Sequence, residues 1–184
     1  VSDGVIYTIG YGARSVHELI AALRLYGIEY LIDVRSQPYS RHKPEFSKSA
    51  LDQAVRDAGL RYVFMGDTLG GRPKDPAYYS GEKVDYVKLR EAPFYKEGIA
   101  RLHTALAKGL VVALMCSEGR PQECHRSKLI GTTLEAMGIE VRHIDETGEL
   151  RTQAAAMDEL THGQLSFFED NPGTSTSRKG YAKT

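Results

Sequence analysis

The chain has few cysteines, no excess charge and no long apolar run, and each shortage closes off a class of protein. Only Cys116 and Cys124 are present among 184 residues. That is too few for a secreted scaffold stapled by disulfides, so a reducing, cytoplasmic setting is expected. Lysine and arginine (24) balance aspartate and glutamate (24). The molecule as a whole is therefore no electrostatic magnet for nucleic acid, and affinity for phosphates has to come from a local patch. No stretch approaches the roughly 20 apolar residues of a membrane span, so no membrane partner is expected. The opening VSDGVIYTIGYG lacks the basic stretch and apolar core of a secretory leader. No internal repeat is visible.

What is present is ordinary for a globular protein: 41% hydrophobic and 26% charged residues. The length suits one domain with a short tail, and a core of that size needs no staples. About five β-rich runs alternate with helical patterns. Val5–Gly10 is the first strand. Ser15 and Glu18 then form a capping box for a helix with Val16, Leu19, Ile20 and Leu23 on one face. Tyr30–Val34 is near-continuously apolar, as in a parallel strand covered on both faces. A helix with the stripe Leu51, Ala54, Val55 and Ala58 leads to a third strand, Arg61–Met65.

The stretch from Asp67 to Ala92 has no clean period and reads as a long loop carrying one short helix. Pro93 opens a helix whose core face is Tyr95, Ile99, Leu102 and Leu106. Leu110–Cys116 is the clearest buried strand. A helix over Glu123–Met137 stops at Gly138, and Glu140–Ile144 is the last strand. The predicted fold is α/β: a single three-layer domain over residues 1–150, with a mostly parallel sheet of about five strands and flanking helices. Residues 151–170 are expected to hold a helix and a short linear motif, and 171–184 to be a disordered tail.

In open α/β sheets, ligands bind beyond the carboxyl ends of the strands. The residues after each strand here are chemically loaded. Gly10, Tyr11 and Gly12 follow the first; Asp33, Arg35, Pro38, Tyr39, Ser40 and Arg41 the second; Gly70, Gly71 and Arg72 the third. Cys116, Glu118, Arg120, Cys124, His125 and Arg126 follow the fourth. One functional site is expected there.

Each residue has a bland reading beside the chemical one. Cys116 is either a nucleophile, activated by a helix start and nearby arginines, or a small apolar residue closing a strand. Glu118 is a general acid or base, or a solvated loop glutamate. Arg120, His125 and Arg126 are placed to bind an anion, with His125 alternatively an acid/base or capping residue. Asp33 and Arg35, sharing a face, are either a structural ion pair or a carboxylate and guanidinium presented to substrate. Cys116, Cys124 and His125 match no common zinc spacing, so neither a metal nor a cofactor is expected. Arg41, His42 and Lys43 near Tyr39 and Phe46, with Arg72, Lys74, Tyr78 and Tyr79, mix cations and rings. A single-stranded nucleic acid site uses that mixture, and so do solvated loops.

TIGYG, IDVRSQPYSR, Phe46, LGGR and CSEGRPQECHRS together resemble the family catalogued as domain of unknown function 488, over roughly residues 5–148. The resemblance implies an α/β domain with a shared pocket and no settled reaction. Tyr11 stands where that family more usually has histidine, which removes a catalytic histidine from this position. A weaker similarity, to rhodanese-like sulfurtransferases and cysteine phosphatases, rests on IDVRS and VVALMCSEGR. It departs in the loop, where only Ser117, Glu118 and Gly119 separate Cys116 from Arg120 and Glu118 would repel a bound anion.

Beyond the domain, Gln164, Leu165, Ser166, Phe167 and Phe168 resemble the short peptide with which bacterial DNA polymerases and repair proteins bind the sliding clamp. Alternatively these apolar residues fold back over the domain. The sequence thus favours an enzyme acting on nucleic acid or a nucleotide in DNA repair or modification. Its acid/base candidates are Glu118, His125 and Asp33, with Cys116 as a possible nucleophile. Tyr11, Arg35, Ser40, Arg41, Arg72, Arg120 and Arg126 are the substrate-binding candidates. The alternatives are a Cys116 enzyme on a small anion and a non-catalytic nucleic-acid-binding module.

Overall fold

Ser15 accepts a hydrogen bond from the Glu18 backbone N–H while the Glu18 carboxylate accepts from the Ser15 N–H, completing the capping box that starts the first helix. The computed structural model of the chain describes residues 4–161 and 172–181. In chain order its elements are β1 (Val5–Gly10), α1 (Val16–Leu25), β2 (Tyr30–Asp33), α2 (Lys48–Asp57), β3 (Arg61–Phe64), β4 (Tyr79–Ser80), β5 (Lys83–Val84) and α3 (Tyr86–Arg90). There follow α4 (Pro93–Ala107), β6 (Val112–Cys116), α5 (Thr132–Ala136), β7 (Glu140–Ile144), β8 (Leu150–Thr152), α6 (Gln153–Thr161) and α7 (Pro172–Ser175).

The main sheet has the order β3-β2-β6-β1-β7-β8, parallel except for β8, which runs antiparallel to β7. Side chains alternate across it. Ile9, Leu31, Ala113 and Met115 meet Leu19 and Leu23 of α1 and Leu51 and Val55 of α2 on one face. Ile32, Leu114, Cys116 and Val141 meet Leu89, Tyr95, Ile99, Leu102 and Leu134 from α3, α4 and α5 on the other. This is the predicted three-layer α/β arrangement with a mostly parallel sheet.

The topology fixes where a ligand has room. From β2 the chain moves outward to β3, whereas from β6 it crosses in the opposite direction to β7. Since β2 and β6 are paired neighbours, Asp33 opposite Met115, their departing loops diverge and leave a crevice at their carboxyl ends. The segments after both strands carry the reactive residues of the sequence.

Several local features differ from the sequence reading. The strand β8 and the ribbon β4–β5 carry no sequence signal, because two or three residues are too few for an alternation to register. The helix expected over 123–137 is a tight turn at Pro121–Glu123, a π-helical stretch at Arg126–Gly131, and then α5. Where composition suggested a disordered tail, residues 172–181 lie against the domain. Thr176 bridges to Asp85, the Ser177 N–H donates to the Val84 carbonyl, and the Val84 N–H donates to Ser177 Oγ. The segment Gln164–Phe168 lies outside the described residues. Among those described, no helix is long and apolar enough to cross a membrane.

Candidate functional site

A pocket of about 190 Å³ opens at the crevice. Its floor begins with β2. Arg35 donates through Nε and Nη2 to the two carboxylate oxygens of Asp33 (2.9 and 2.7 Å), and Tyr62 Oη donates to Asp33 Oδ2 (2.6 Å). Asp33 is fully buried and both its oxygens are occupied, so it acts as the clamp that orients Arg35. Burial and the adjacent carboxylate push the Tyr62 hydroxyl far above its ordinary pKa, which keeps it a donor. Arg35 lines the pocket, and its Nη1 is buried with no partner among the described residues. Tyr11 stacks on Phe46 with centroids 4.2 Å apart and lies under the Arg35 guanidinium.

The opposite wall is the loop after β6. β1 and β6 keep pairing beyond their strands: the Tyr11 and Gly12 N–H groups donate to the carbonyls of Cys116 and Ser117. This contact needs glycine at position 10, since a Cβ there would collide with the Glu118 carbonyl. The first turn after Pro121 then brings Cys124 and His125 back beside Cys116. Nδ1 of His125 lies 3.8 Å from Cys116 Sγ and 3.6 Å from Cys124 Sγ. Its Nε2 is 3.1 Å from the Val34 carbonyl, an acceptor only, so Nε2 carries the proton and donates. In the neutral ring Nδ1 therefore presents its lone pair to the two sulfurs.

Both cysteines are free and buried, yet both line the pocket. A hydrogen bond from Cys124, with the His125 ring and the Glu118 N–H, holds the Cys116 thiol well below its ordinary pKa against the cost of burial. Burial and the neighbouring Cys116 sulfur push Cys124 up. Behind them Arg126 is 0% exposed. Its Nη2 donates to the Gly119 carbonyl (2.8 Å), while Nε and Nη1 have no partner among the described residues. Burial lowers its pKa, opposed chiefly by Cys124 and Cys116.

The segment around residue 178 adds Arg178 and Tyr181 to the pocket's lining. Arg178 pairs with Glu118 (3.2 Å) and Glu123 (3.3 Å), and the Arg72 guanidinium lies 3.9 Å over the Tyr181 ring. Behind the wall, α6 is tied to the sheet by one buried network. His143 Nε2 donates to Gln153 Oε1 (2.7 Å), Thr8 Oγ1 donates to His143 Nδ1 (2.6 Å), and Gln153 Nε2 donates to the Ser127 carbonyl (3.1 Å). That carbonyl also accepts from the Thr132 N–H across the π turn and from Thr132 Oγ1 (3.3 Å).

Of the residues singled out in the sequence, Tyr11, Arg35, Tyr39, Gly71, Arg72, Cys116, Glu118, Cys124 and His125 line this pocket. Asp33 and Arg126 lie behind it. Ser40 is outside, accepting from the Lys43 N–H; Arg41 is exposed; Arg120 is on the surface facing Glu146 (3.4 Å). A phosphatase-like loop would require Arg120 in the pocket, so the placement tells against that resemblance. The sequence reading missed Tyr86, Glu123, Arg178 and Tyr181. The last two had no signal, because a polar stretch with one tyrosine reads as tail until the fold supplies its partners.

The family model described as Domain of unknown function DUF488 matches residues 15–134, a span that includes both the Asp33–Arg35 and the Cys116–Arg126 segments. No curated protein and no solved structure matches the chain.

Proposed function

The chain belongs to this family of domains of unknown function, and from that premise we propose that it is an enzyme acting on a compact anionic substrate, a nucleotide or nucleic-acid phosphate. Arg35, Arg72 and Arg178 hold the anion, and Glu118 serves as general acid–base. One observation supports this most: the pocket that gathers three arginines also gathers Glu118, two thiols and an oriented imidazole. Cations suffice for binding alone. A carboxylate, two sulfurs and a histidine ring of defined tautomer are groups that move protons or bonds.

Arg178 has two duties in this reading. It holds Glu118 in place, and on substrate entry it exchanges the carboxylates for the incoming anion. The test is a panel of nucleotides and short single-stranded oligonucleotides, assayed for binding and for product. Glu118→Gln is expected to keep binding and lose roughly 10²–10⁴ in turnover. Binding without product across the panel would leave a non-catalytic module instead. A Cys116 sulfurtransferase predicts that Cys116→Ser abolishes thiosulfate chemistry; unchanged activity in that variant eliminates it.

DNA as the substrate is favoured by the clamp-like residues Gln164, Leu165, Phe167 and Phe168. A labelled peptide spanning 158–174 is expected to bind a bacterial sliding clamp saturably, measured by fluorescence anisotropy. Gln164→Ala with Phe168→Ala should abolish that binding. Absence of binding removes the argument for DNA and leaves free nucleotides as the substrates to pursue.

A further inference from the structure

We propose that Cys116, Cys124 and His125 form a binding site for one thiophilic divalent metal ion of the zinc class, with its fourth coordination position open to the pocket. The donor atoms of the three residues all lie within 4.8 Å of one another. A tetrahedral zinc ion, with Zn–S near 2.3 Å and Zn–N near 2.0 Å, requires ligand atoms about 3.5–3.8 Å apart. Nδ1 of His125 stands 3.8 and 3.6 Å from the two sulfurs. The two nitrogen–sulfur separations match a coordination shell, and the two sulfurs lie within 4.8 Å of each other.

The imidazole is prepared for the same role. Its Nε2–H is committed to the Val34 carbonyl, the outer contact that fixes tautomer and ring orientation in metal-binding histidines. A metal ion among the three atoms would engage Nδ1 and both sulfurs at once.

Three protein ligands with a vacant fourth position facing a cleft is the pattern of a catalytic rather than a structural zinc site. Cys116 and Cys124 are only 5% and 2% exposed, but both line the pocket. The use of the metal rests on the reading of Glu118 given above. Glu118 follows Cys116 by two residues and lines the same pocket. A ligand followed at that spacing by a non-ligating glutamate is also how zinc deaminases place their proton carrier. Water on the metal gives a proton to Glu118, the hydroxide forms the new bond to the substrate's electrophilic centre, and Glu118 returns the proton to the departing group. The sum is hydrolysis, with no oxidant or further reactant.

The test reads metal and not turnover. The full chain, reduced and freed of metal by a chelator, is titrated with cobalt(II). About one ion per chain is expected, with sulfur-to-cobalt charge-transfer absorption and the intense visible bands of tetrahedral coordination. Cys116→Ser and Cys124→Ser should each weaken the charge-transfer band, and the double variant should lose it. Circular dichroism establishes whether these variants fold. The wild-type chain gives a readout free of that concern: zinc should protect both cysteines from alkylation, seen by mass spectrometry. A wild-type chain that gives no charge-transfer band, cysteines labelled equally with and without zinc, or reduced cysteines that close into a disulfide in preference to taking up metal would each overturn the proposal. Glu118→Gln should keep the cobalt spectrum. Failure of the metal site and failure of the catalytic reading are therefore seen separately.

Discussion

His143 is buried between β1 and α6 and accepts from Thr8 while donating to Gln153, a pattern complete only for the neutral ring. Burial, reinforced by the Arg126 charge, pushes its pKa down to about 4. In the unfolded chain the ring takes up a proton near pH 6.5. The folded state binds fewer protons between those values, so stability is fully present above about pH 6.5 and falls as pH drops toward 4. The loss attributable to this ring is about 3 kcal/mol. Urea unfolding of the wild type and of His143→Gln from pH 7 to 4 should show the steeper decline in the wild type, and parallel profiles would remove the assignment. Gly10 carries a second residue-scale prediction. A methyl group there collides with the Glu118 carbonyl, so Gly10→Ala should cost about 2 kcal/mol by overpacking. It should also displace the loop that carries Glu118, lowering turnover beyond what the loss of folded protein explains.

At the scale of elements, the segment 172–181 and the β4–β5 ribbon support each other. Val84 and Ser177 exchange two hydrogen bonds, and the Tyr181 N–H donates to the Glu82 carbonyl. Deleting residues 172–184 removes these contacts together with Arg178 and Tyr181. Hydrogen exchange should then accelerate at Val84 while the amides of β1 and β6 stay protected. Substrate affinity should fall with the loss of Arg178 and the Arg72–Tyr181 stack. Equal protection at Val84 in the truncated chain would show that the segment merely lies on the surface. The π-helical stretch Arg126–Gly131 is the other element with a function in the site. It holds Arg126 fully buried, and its Ser127 carbonyl is shared by Thr132 and the Gln153 amide. Gly131 leaves the space that the Gln153 amide fills, because a Cβ there would meet Oε1.

For the molecule as a whole, the pocket depends on chain crossing more than on any one segment. Arg35 and Cys116 are far apart in sequence and meet because β2 and β6 are neighbours whose connections diverge. Adding the clamp-like segment would give a protein with a compact chemical site and a separate tether. The full chain should then bind a sliding clamp and a single-stranded oligonucleotide at the same time, measurable by co-elution. Competition between the two would place both on one surface and contradict that arrangement.

Local physics made the elements legible. Ser15 and Glu18 announced α1, Pro93 announced α4, and the continuous apolar runs of β2 and β6 announced parallel strands buried on both faces, since capping and periodicity act over a few residues. The sequence by itself also determined that the reactive side chains follow strand ends, and hence which face of the sheet bears them. Only the tertiary structure decided how they are paired. It commits Asp33 to Arg35 and Tyr62, sends Arg120 to the surface and Arg126 inward, and sets His125 Nδ1 between two sulfurs with Nε2 held by Val34. It also draws Arg178 and Tyr181 to the pocket's mouth. Those outcomes depend on strand order, a π turn and contacts between residues distant in the chain, which no local propensity encodes.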